Sequence, residues 1–401
     1  MEENTTSFRP GYYYEGFYLD YIEYINKYYK KALQNPDKCV FIDSGVPSEM
    51  IMATGLLPIM IEIIPTLLKN VDEQNGVIAS SENFFFNTGT CSFSRFALPA
   101  FEKGYIPLPK AFVSTTVCND MCNNIAMLAH KYNIPYFCID VPYNNDEKAV
   151  SYLAHQYEKL FEFLKGVSGE DIEANLVHEV LKNSEDSLVY MKQALDMRKN
   201  KPALMYGGPM LKLRNINFLR GSKETLEISK MFYEMMDFRK KNNITPITNE
   251  KVRLLWDGSG PVFAGDFLKK IENEMGAIIV ADPMCCFSYL ENYVDDKDVF
   301  TNLSRSLLSN PLGRNNGALL VERAKEYHAD GVIHFGQLNC NVINSKTWIL
   351  KQELNEAGIP FLELTCDLVD KRNFGIEQLY TRIEAFIEML TQERGVVFES
   401  R

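Results

Sequence analysis

Short apolar runs alternate with helical stretches in two separate parts of the chain, and this alternation limits the fold more than any other feature. In the first part, Cys39-Val-Phe-Ile-Asp-Ser44 reads as a strand running into a small polar loop. Val46-Pro-Ser-Glu49 then opens a helix with Ser48 near its cap. Ala111 to Val117 reads as a strand, Asp120 to Tyr132 as a helix and Ile134 to Asp140 as a further strand. In the second part, strands are expected at Val252 to Trp256, Ala277 to Ala281, Gly331 to Phe335 and Pro360 to Leu364. Helices are expected at Pro261 to Met275, Ala318 to Tyr327, Thr347 to Ala357 and Ile376 to Leu390. Alternating strands and helices imply parallel sheets, with ligands held at the carboxyl ends of the strands.

Between these parts, residues 145 to 245 are charged and helical in pattern: Tyr152 to Leu164, Ile172 to Asn183, Ser187 to Met197 and Lys223 to Lys240. A Gly/Pro-containing interruption runs from Arg198 to Asn215. Residues 12 to 33 carry Tyr, Phe and Leu at helical spacing and end Lys-rich, as an amphipathic helix packed on the body would. The expected organisation is an N-terminal helical segment (1–35), a first α/β domain (36–145), a helical segment (146–245) and a second α/β domain (246–401). A chain of 401 residues, 46% of them hydrophobic, can build two cores.

The net charge of −11 gives no basic face for nucleic acid or anionic lipid. The start Met1-Glu-Glu-Asn4 has neither the basic nor the apolar region of an export signal, so a cytoplasmic protein is expected. Met50 to Leu68 is the one stretch resembling a membrane span, but Pro58, Glu62 and Pro65 interrupt it. It reads as a buried helix with a broken end. Nine cysteines without an export signal suggest reduced thiols and metal or redox chemistry rather than disulfides.

Gly258-Ser-Gly-Pro-Val-Phe-Ala-Gly265 follows a strand, but Phe263 stands where a dinucleotide fingerprint needs glycine and Asp266 where a phosphate loop needs lysine. A tight strand-to-helix turn explains it. Three cysteines lie far apart in loops after strand-like runs: Cys91, Cys118 and Cys340. Three thiolates from separate loops can hold three irons of a cubane and leave the fourth open to substrate, whereas four cysteines more usually make an electron carrier. Cys122, one helical turn beyond Cys118, is the alternative for the middle position. Cys285 and Cys286 are either further ligands or buried, and Cys39, Cys138 and Cys366 read as core. Zinc knuckles are absent, and the five histidines show no paired ligand spacing; His334 reads as a packed strand residue.

The segments Cys91-Ser-Phe-Ser-Arg95, Cys118-Asn-Asp-Met-Cys-Asn-Asn124, Ala329-Asp-Gly-Val-Ile333 with Cys340, Gly358-Ile-Pro-Phe-Leu362 and the tail from Asp370 to Leu390 resemble those of 2-hydroxyacyl-CoA dehydratase subunits. That superfamily, the 2-hydroxyglutaryl-CoA dehydratase D-component and benzoyl-CoA reductase group, also contains double-cubane reductases. The resemblance implies two Rossmann-like or flavodoxin-like parallel-sheet domains with an intervening helical segment and a 4Fe-4S cluster between the domains. Carried over, the ligands are Cys91, Cys118 and Cys340. Ile42-Asp-Ser-Gly-Val-Pro47 resembles the serine loop that holds water or hydroxide on the open iron, with Ser44 at the serine. Glu62 falls at the carboxylate that assists the leaving hydroxyl.

The implied reaction removes water from a 2-hydroxyacyl-CoA to give an enoyl-CoA through a ketyl radical, in an oxygen-sensitive enzyme of anaerobic amino-acid fermentation. A separate ATP-dependent iron-sulfur activator would supply the electron, and a related second subunit is expected, in a heterodimer or homodimer. Tyr206-Gly-Gly-Pro209 and Asn215 to Gly221 are candidates for the CoA or acyl pocket by position. Two readings compete with the dehydratase: an ATP-coupled reductase subunit, with Cys285 and Cys286 as extra iron ligands, and a non-catalytic α/β subunit with structural or zinc-binding cysteines.

Overall fold

The computed structural model describes residues 16–68, 71–84, 87–170, 172, 174–264, 266–283, 299–309 and 317–399. Two four-stranded sheets organise them, and all the strand pairs are parallel. The first sheet is built from β1 (Cys39–Ile42), β2 (Leu57–Met60), β3 (Ala111–Thr115) and β4 (Tyr136–Ile139), in the order β2-β1-β3-β4. The second is built from β5 (Val252–Gly258), β6 (Ala277–Ala281), β7 (Gly331–Gln337) and β8 (Phe361–Cys366), in the order β6-β5-β7-β8. In each, the chain turns one way from the first strand and then the other way. A crevice therefore opens at the strands' carboxyl ends, between β1 and β3 in one sheet and between β5 and β7 in the other.

The central strands β1, β3, β5 and β7, and the edge strand β6, are buried along their whole length, as expected of sheets covered on both faces. Phe41, Phe101 and Phe112 pack edge-to-face or tilted on one side of the first sheet. Trp256, Phe267 and Phe335 form the matching aromatic centre of the second. Long helices pack onto the core of the first sheet. Glu147–Ser168 starts where Asp146 accepts the Ala149 N–H at 2.9 Å and ends at Gly169 with a left-handed φ of 69°. Ala174–Asp196 is one continuous helix where the sequence suggested two, and it packs along Lys223–Lys241, which Ser222 caps through the Thr225 N–H at 3.1 Å.

Two expected helices differ. Met50 to Leu68 is not one broken helix: Ser48–Met52 ends at Gly55 (φ 74°), Leu57–Met60 becomes the edge strand β2, and a short turn leads to Ile64–Leu67. A continuous apolar run carries no period, so it does not separate strand from buried helix. Pro58 is tolerated because an edge strand has one unpaired side. Pro261 to Met275 is helical only from Phe267, and Lys270–Glu274 widens into a π-turn. The widening accompanies Glu272, whose buried carboxylate accepts the N–H groups of Gly207 (2.7 Å), Gly208 (2.8 Å) and Ile279 (3.1 Å). Gly258 is demanded by packing: its φ is 137°, and a β-carbon there would lie 2.2 Å from the Phe335 carbonyl oxygen.

Candidate functional site

Each of the three cysteines singled out in the sequence stands immediately before a helix. Cys91 precedes Ser92–Glu102, Cys118 follows β3 and precedes Asn119–Tyr132, and Cys340 follows β7 and precedes Asn341–Asn344. The first-turn N–H groups therefore face sulfur: Phe93 and Ser94 towards Cys91, Met121 towards Cys118, and Val342 and Ile343 towards Cys340. Such amides stabilise thiolate. Burial acts the other way and dominates, pushing the Cys91 thiol up to about 12 and raising those of Cys118 and Cys340. Neighbouring charge adds to the rise: Cys340 acts on Cys91 and Cys118, and Cys91 acts on Cys118. The three sulfurs thus share one neighbourhood although they come from distant parts of the chain.

A chain of hydrogen bonds accounts for the convergence. Ser92 donates to Asp367 Oδ1 at 2.6 Å, and Gln337 Nε2 donates to Ser92 Oγ at 3.1 Å. Gln337 Oε1 takes the Leu368 N–H at 2.7 Å, while Asp367 Oδ1 also collects the N–H groups of Val369 and Asp370. Arg95, one turn into the Cys91 helix, reaches Asp370 at 3.2 Å, with both side chains 1% exposed. Asn339 donates to the Thr88 carbonyl at 2.9 Å. The Cys91 loop is in this way fastened to the loops after β7 and β8. On the other side, the Cys91 N–H points at Asp120 Oδ2 over 3.4 Å, towards the helix that Cys118 opens.

Ser44 and Glu62 meet beside this neighbourhood, at the carboxyl ends of β1 and β2. The Ser44 N–H donates to Glu62 Oε1 at 3.1 Å, and the Glu62 charge is among the causes that raise the Cys118 thiol. The loop is held by Asp43, which accepts the Gly45 N–H (2.9 Å), the Thr115 N–H (2.6 Å) and the Thr115 hydroxyl (3.0 Å), strapping β1 to β3. Gly45 is needed because a β-carbon there would meet Thr115 Oγ1 at 2.5 Å. Glu62 is treated differently. Its Oε2 is buried without a hydrogen-bond partner. Burial first, then the Asp43 charge, raises its carboxyl to about 8, so it carries its proton at neutral pH. A protonated carboxyl with a free oxygen beside Ser44 is equipped as a general acid.

Cys122 turns elsewhere: its Sγ lies 3.4 Å from Cys138 Sγ and 3.7 Å from the Tyr136 hydroxyl. Cys39 and Cys366 are buried as expected, whereas Cys138 is half-buried. Cys285 and Cys286 lie outside the described residues. His334 is fully buried, bonded to Asp257 at 2.7 Å and Thr347 at 3.2 Å. Of the two segments suggested for the pocket, Asn215 to Gly221 contributes Phe218 and Arg220 to a small cavity shared with Ser44, Pro47 and Tyr157. Tyr206 to Pro209 instead packs under β6, with Gly207 against Ile279 and its amides taken by Glu272. Arg220 is held by Glu49 at 3.1 Å, and Glu49 also accepts from Ser184 at 2.7 Å. Asp43, Gln337, Asp367 and the Glu49–Arg220 pair were not found from sequence. Asp43 sits inside the Ser44 loop, but partners as distant as Arg95 and Asp370, 275 residues apart, leave no local signal.

The donor set fits an iron-sulfur cubane held by three protein thiolates: three sulfurs from separate helix starts, with amides directed at them. Among the described residues, no three His, Cys, Asp or Glu groups stand at metal-ligand spacing, so the thiols share a neighbourhood without closing to coordination distance. No helix among them is long and apolar enough to cross a membrane.

The family model described as "2-hydroxyglutaryl-CoA dehydratase, D-component" matches residues 43–390. A benzoyl-CoA reductase subunit of Thauera aromatica is 24% identical, over 80% of this chain and 82% of its own. The (R)-phenyllactyl-CoA dehydratase alpha subunit of Clostridium sporogenes is 23% identical (91% and 92%), and the beta subunit from the same organism is also 23% identical (92% and 95%). The expectation of a hydro-lyase subunit rests on this membership: the chain belongs to the 2-hydroxyglutaryl-CoA dehydratase, D-component, family.

Proposed function

We propose that the chain is a subunit of an oxygen-sensitive radical 2-hydroxyacyl-CoA dehydratase, which converts a 2-hydroxyacyl-CoA to an enoyl-CoA and water. One observation carries the reading: three thiols, each standing just before a helix and drawn from loops at both sheets, share a neighbourhood with the Ser44–Glu62 pair. Cys91, Cys118 and Cys340 would hold a 4Fe-4S cluster. When bound, the cluster supplies a Lewis-acidic iron for the departing hydroxyl.

The chain's own residues do the rest. Ser44 orients the hydroxyl through its side chain, in a loop made rigid by Asp43 and Gly45. Glu62 delivers its proton to that hydroxyl, so that water rather than hydroxide leaves. Phe218, Tyr157 and Pro47 line the small cavity next to Ser44. The β-proton of a 2-hydroxyacyl thioester is unactivated, so the reaction needs one low-potential electron at the thioester carbonyl. A separate ATP-dependent iron-sulfur activator is its source. The similarity of both the alpha and the beta subunit of one phenyllactyl enzyme, each over more than 90% of the chain, supports a dimer of related subunits. CoA thioesters and low-potential donors are found inside cells, so the reading includes a cytoplasmic enzyme.

The similarity to the benzoyl-CoA reductase of Thauera aromatica keeps a second reading, an ATP-coupled reductase subunit, in play. Iron and sulfide analysis of protein purified without oxygen, with EPR spectra before and after reduction, separates the two. About four irons per chain are expected for one cubane and about eight for a double cubane. No iron after anaerobic reconstitution would overturn both.

A further inference from the structure

One side-chain cluster lies outside the machinery described so far. Cys138 lies on the edge strand β4, opposite Ser114 of β3 in the sheet register, and Tyr136, two residues earlier, projects from the same face. The helix Asn119–Tyr132 lays Cys122 onto that face. Its Sγ is 3.4 Å from Cys138 Sγ, 3.6 Å from Ser114 Oγ and 3.7 Å from the Tyr136 hydroxyl. The two hydroxyls bond to each other at 2.7 Å. Both cysteines are half-buried and neither is in a disulfide. The two sulfurs are already in van der Waals contact, and a disulfide would bring them to about 2.05 Å. The pair spans a helix and an edge strand, so the bond would join two elements. The flanking hydroxyls can donate to whichever sulfur becomes thiolate.

We propose that Cys122 and Cys138 form an oxidisable dithiol, a modification site distinct from the proposed cluster ligands, which closes to a disulfide with a two-electron thiol oxidant such as a diazene or a hydroperoxide. With a diazene, the first thiolate adds to the N=N bond and the second displaces the resulting nitrogen from sulfur. Two S–H bonds break and one S–S bond forms, and the two electrons and two protons end on the diazene as a hydrazine. With a hydroperoxide, the first thiolate attacks the terminal oxygen, the O–O bond breaks and the alkoxide leaves as an alcohol, giving a sulfenic acid; the second thiolate then displaces that oxygen as water as the S–S bond forms. The cross-link would tie β4 to the helix whose N-terminus carries Cys118.

The test is peptide mapping of the full-length protein. Anaerobically purified protein is treated with one equivalent of diamide, alkylated with iodoacetamide, digested without reductant and analysed by mass spectrometry. A Cys122–Cys138 linked peptide is expected, with alkylation of both residues falling several-fold and returning after dithiothreitol. A Cys138→Ser variant should leave Cys122 fully alkylated after the same treatment. Full alkylation of both cysteines in the treated wild-type protein, or a link from Cys122 to Cys118, would overturn the proposal. The wild-type map decides even if the variant does not fold.

Discussion

The carboxyl ends of the two sheets are built from similar topology and used differently. At the end of the second sheet every oxygen of Asp367 and Asp370 named above is engaged, by backbone amides, by Ser92 or by Arg95. At the end of the first sheet, Asp43 is saturated in the same way, but its neighbour Glu62 keeps one buried oxygen without a partner. A satisfied buried network holds elements in register, and an unsatisfied buried acid is costly and persists where chemistry uses it. Under the proposed function, the second sheet's end would clamp and the first would react, with the thiols contributed by both.

The largest expected effect tests what the ends share. Cys91→Ala, Cys118→Ala and Cys340→Ala should each lose most of the protein's iron and essentially all dehydratase activity, because each sulfur would hold a different corner of the cluster. Cys122→Ala should keep both. Iron analysis beside circular dichroism checks this. Full iron retention in all three variants would dissolve the link between the two ends.

The next effect separates them. Glu62→Gln keeps the hydrogen bond from the Ser44 N–H available but removes the transferable proton. It should lower kcat by about 10²- to 10⁴-fold, with iron content and thermal stability close to wild type. In the wild type, kcat should fall as pH rises through about 8, where Glu62 loses its proton, and the variant should lack that limb. Equal activity in variant and wild type would remove the reactive role from the first sheet's end.

The reverse pattern is expected at the other end. Asp370→Ala strands the Arg95 guanidinium, 1% exposed in the fold, without its carboxylate. Removing one partner of a buried pair costs about 3–5 kcal/mol. Urea denaturation should show that loss, while kcat of the protein that remains folded changes little. A large fall in kcat without a stability loss would mean that the clamp takes part in the reaction.

How much of this was legible in the sequence follows from the range of each signal. Strand-to-helix alternation is local, and it marked seven of the eight strands within a few residues. β2 escaped because Leu57-Pro-Ile-Met60 lies within an unbroken apolar run, where there is no period to distinguish strand from helix. Cys91, Cys118 and Cys340 were visible as lone cysteines in loops, and Ser44 and Glu62 as positions in a family pattern. Their convergence was implied by the resemblance alone, and the contacts that bring it about were not visible, since they depend on Ser92 meeting Asp367 and Gln337 across most of the chain. Cys118 was preferred to Cys122 because it lies nearer the carboxyl end of its strand. The helical turn puts both near β3, and only the packing of β4 shows that Cys122 faces Cys138.

The smallest expected effect is a pH dependence of stability, and its sign follows from Glu62. Its carboxyl rises from 4.5 to about 8 in the fold, through burial first and the Asp43 charge second. The folded state therefore binds this proton more tightly than the unfolded state does. The contribution is fully present below about pH 4.5 and fades as pH climbs through 8, because the unfolded chain releases the proton first and is favoured by doing so. Melting temperatures of wild type and Glu62→Gln, measured in parallel between pH 5 and 9, should diverge as pH rises, with the wild type falling further. Other titrating groups are common to both proteins and cancel in the difference. Asp370→Asn, in contrast, should shift the whole curve without changing that slope. A divergence that ran the other way would mean that Glu62 is ionised in the fold, and the contrast between a satisfied and an unsatisfied sheet end would fail at its one decisive oxygen.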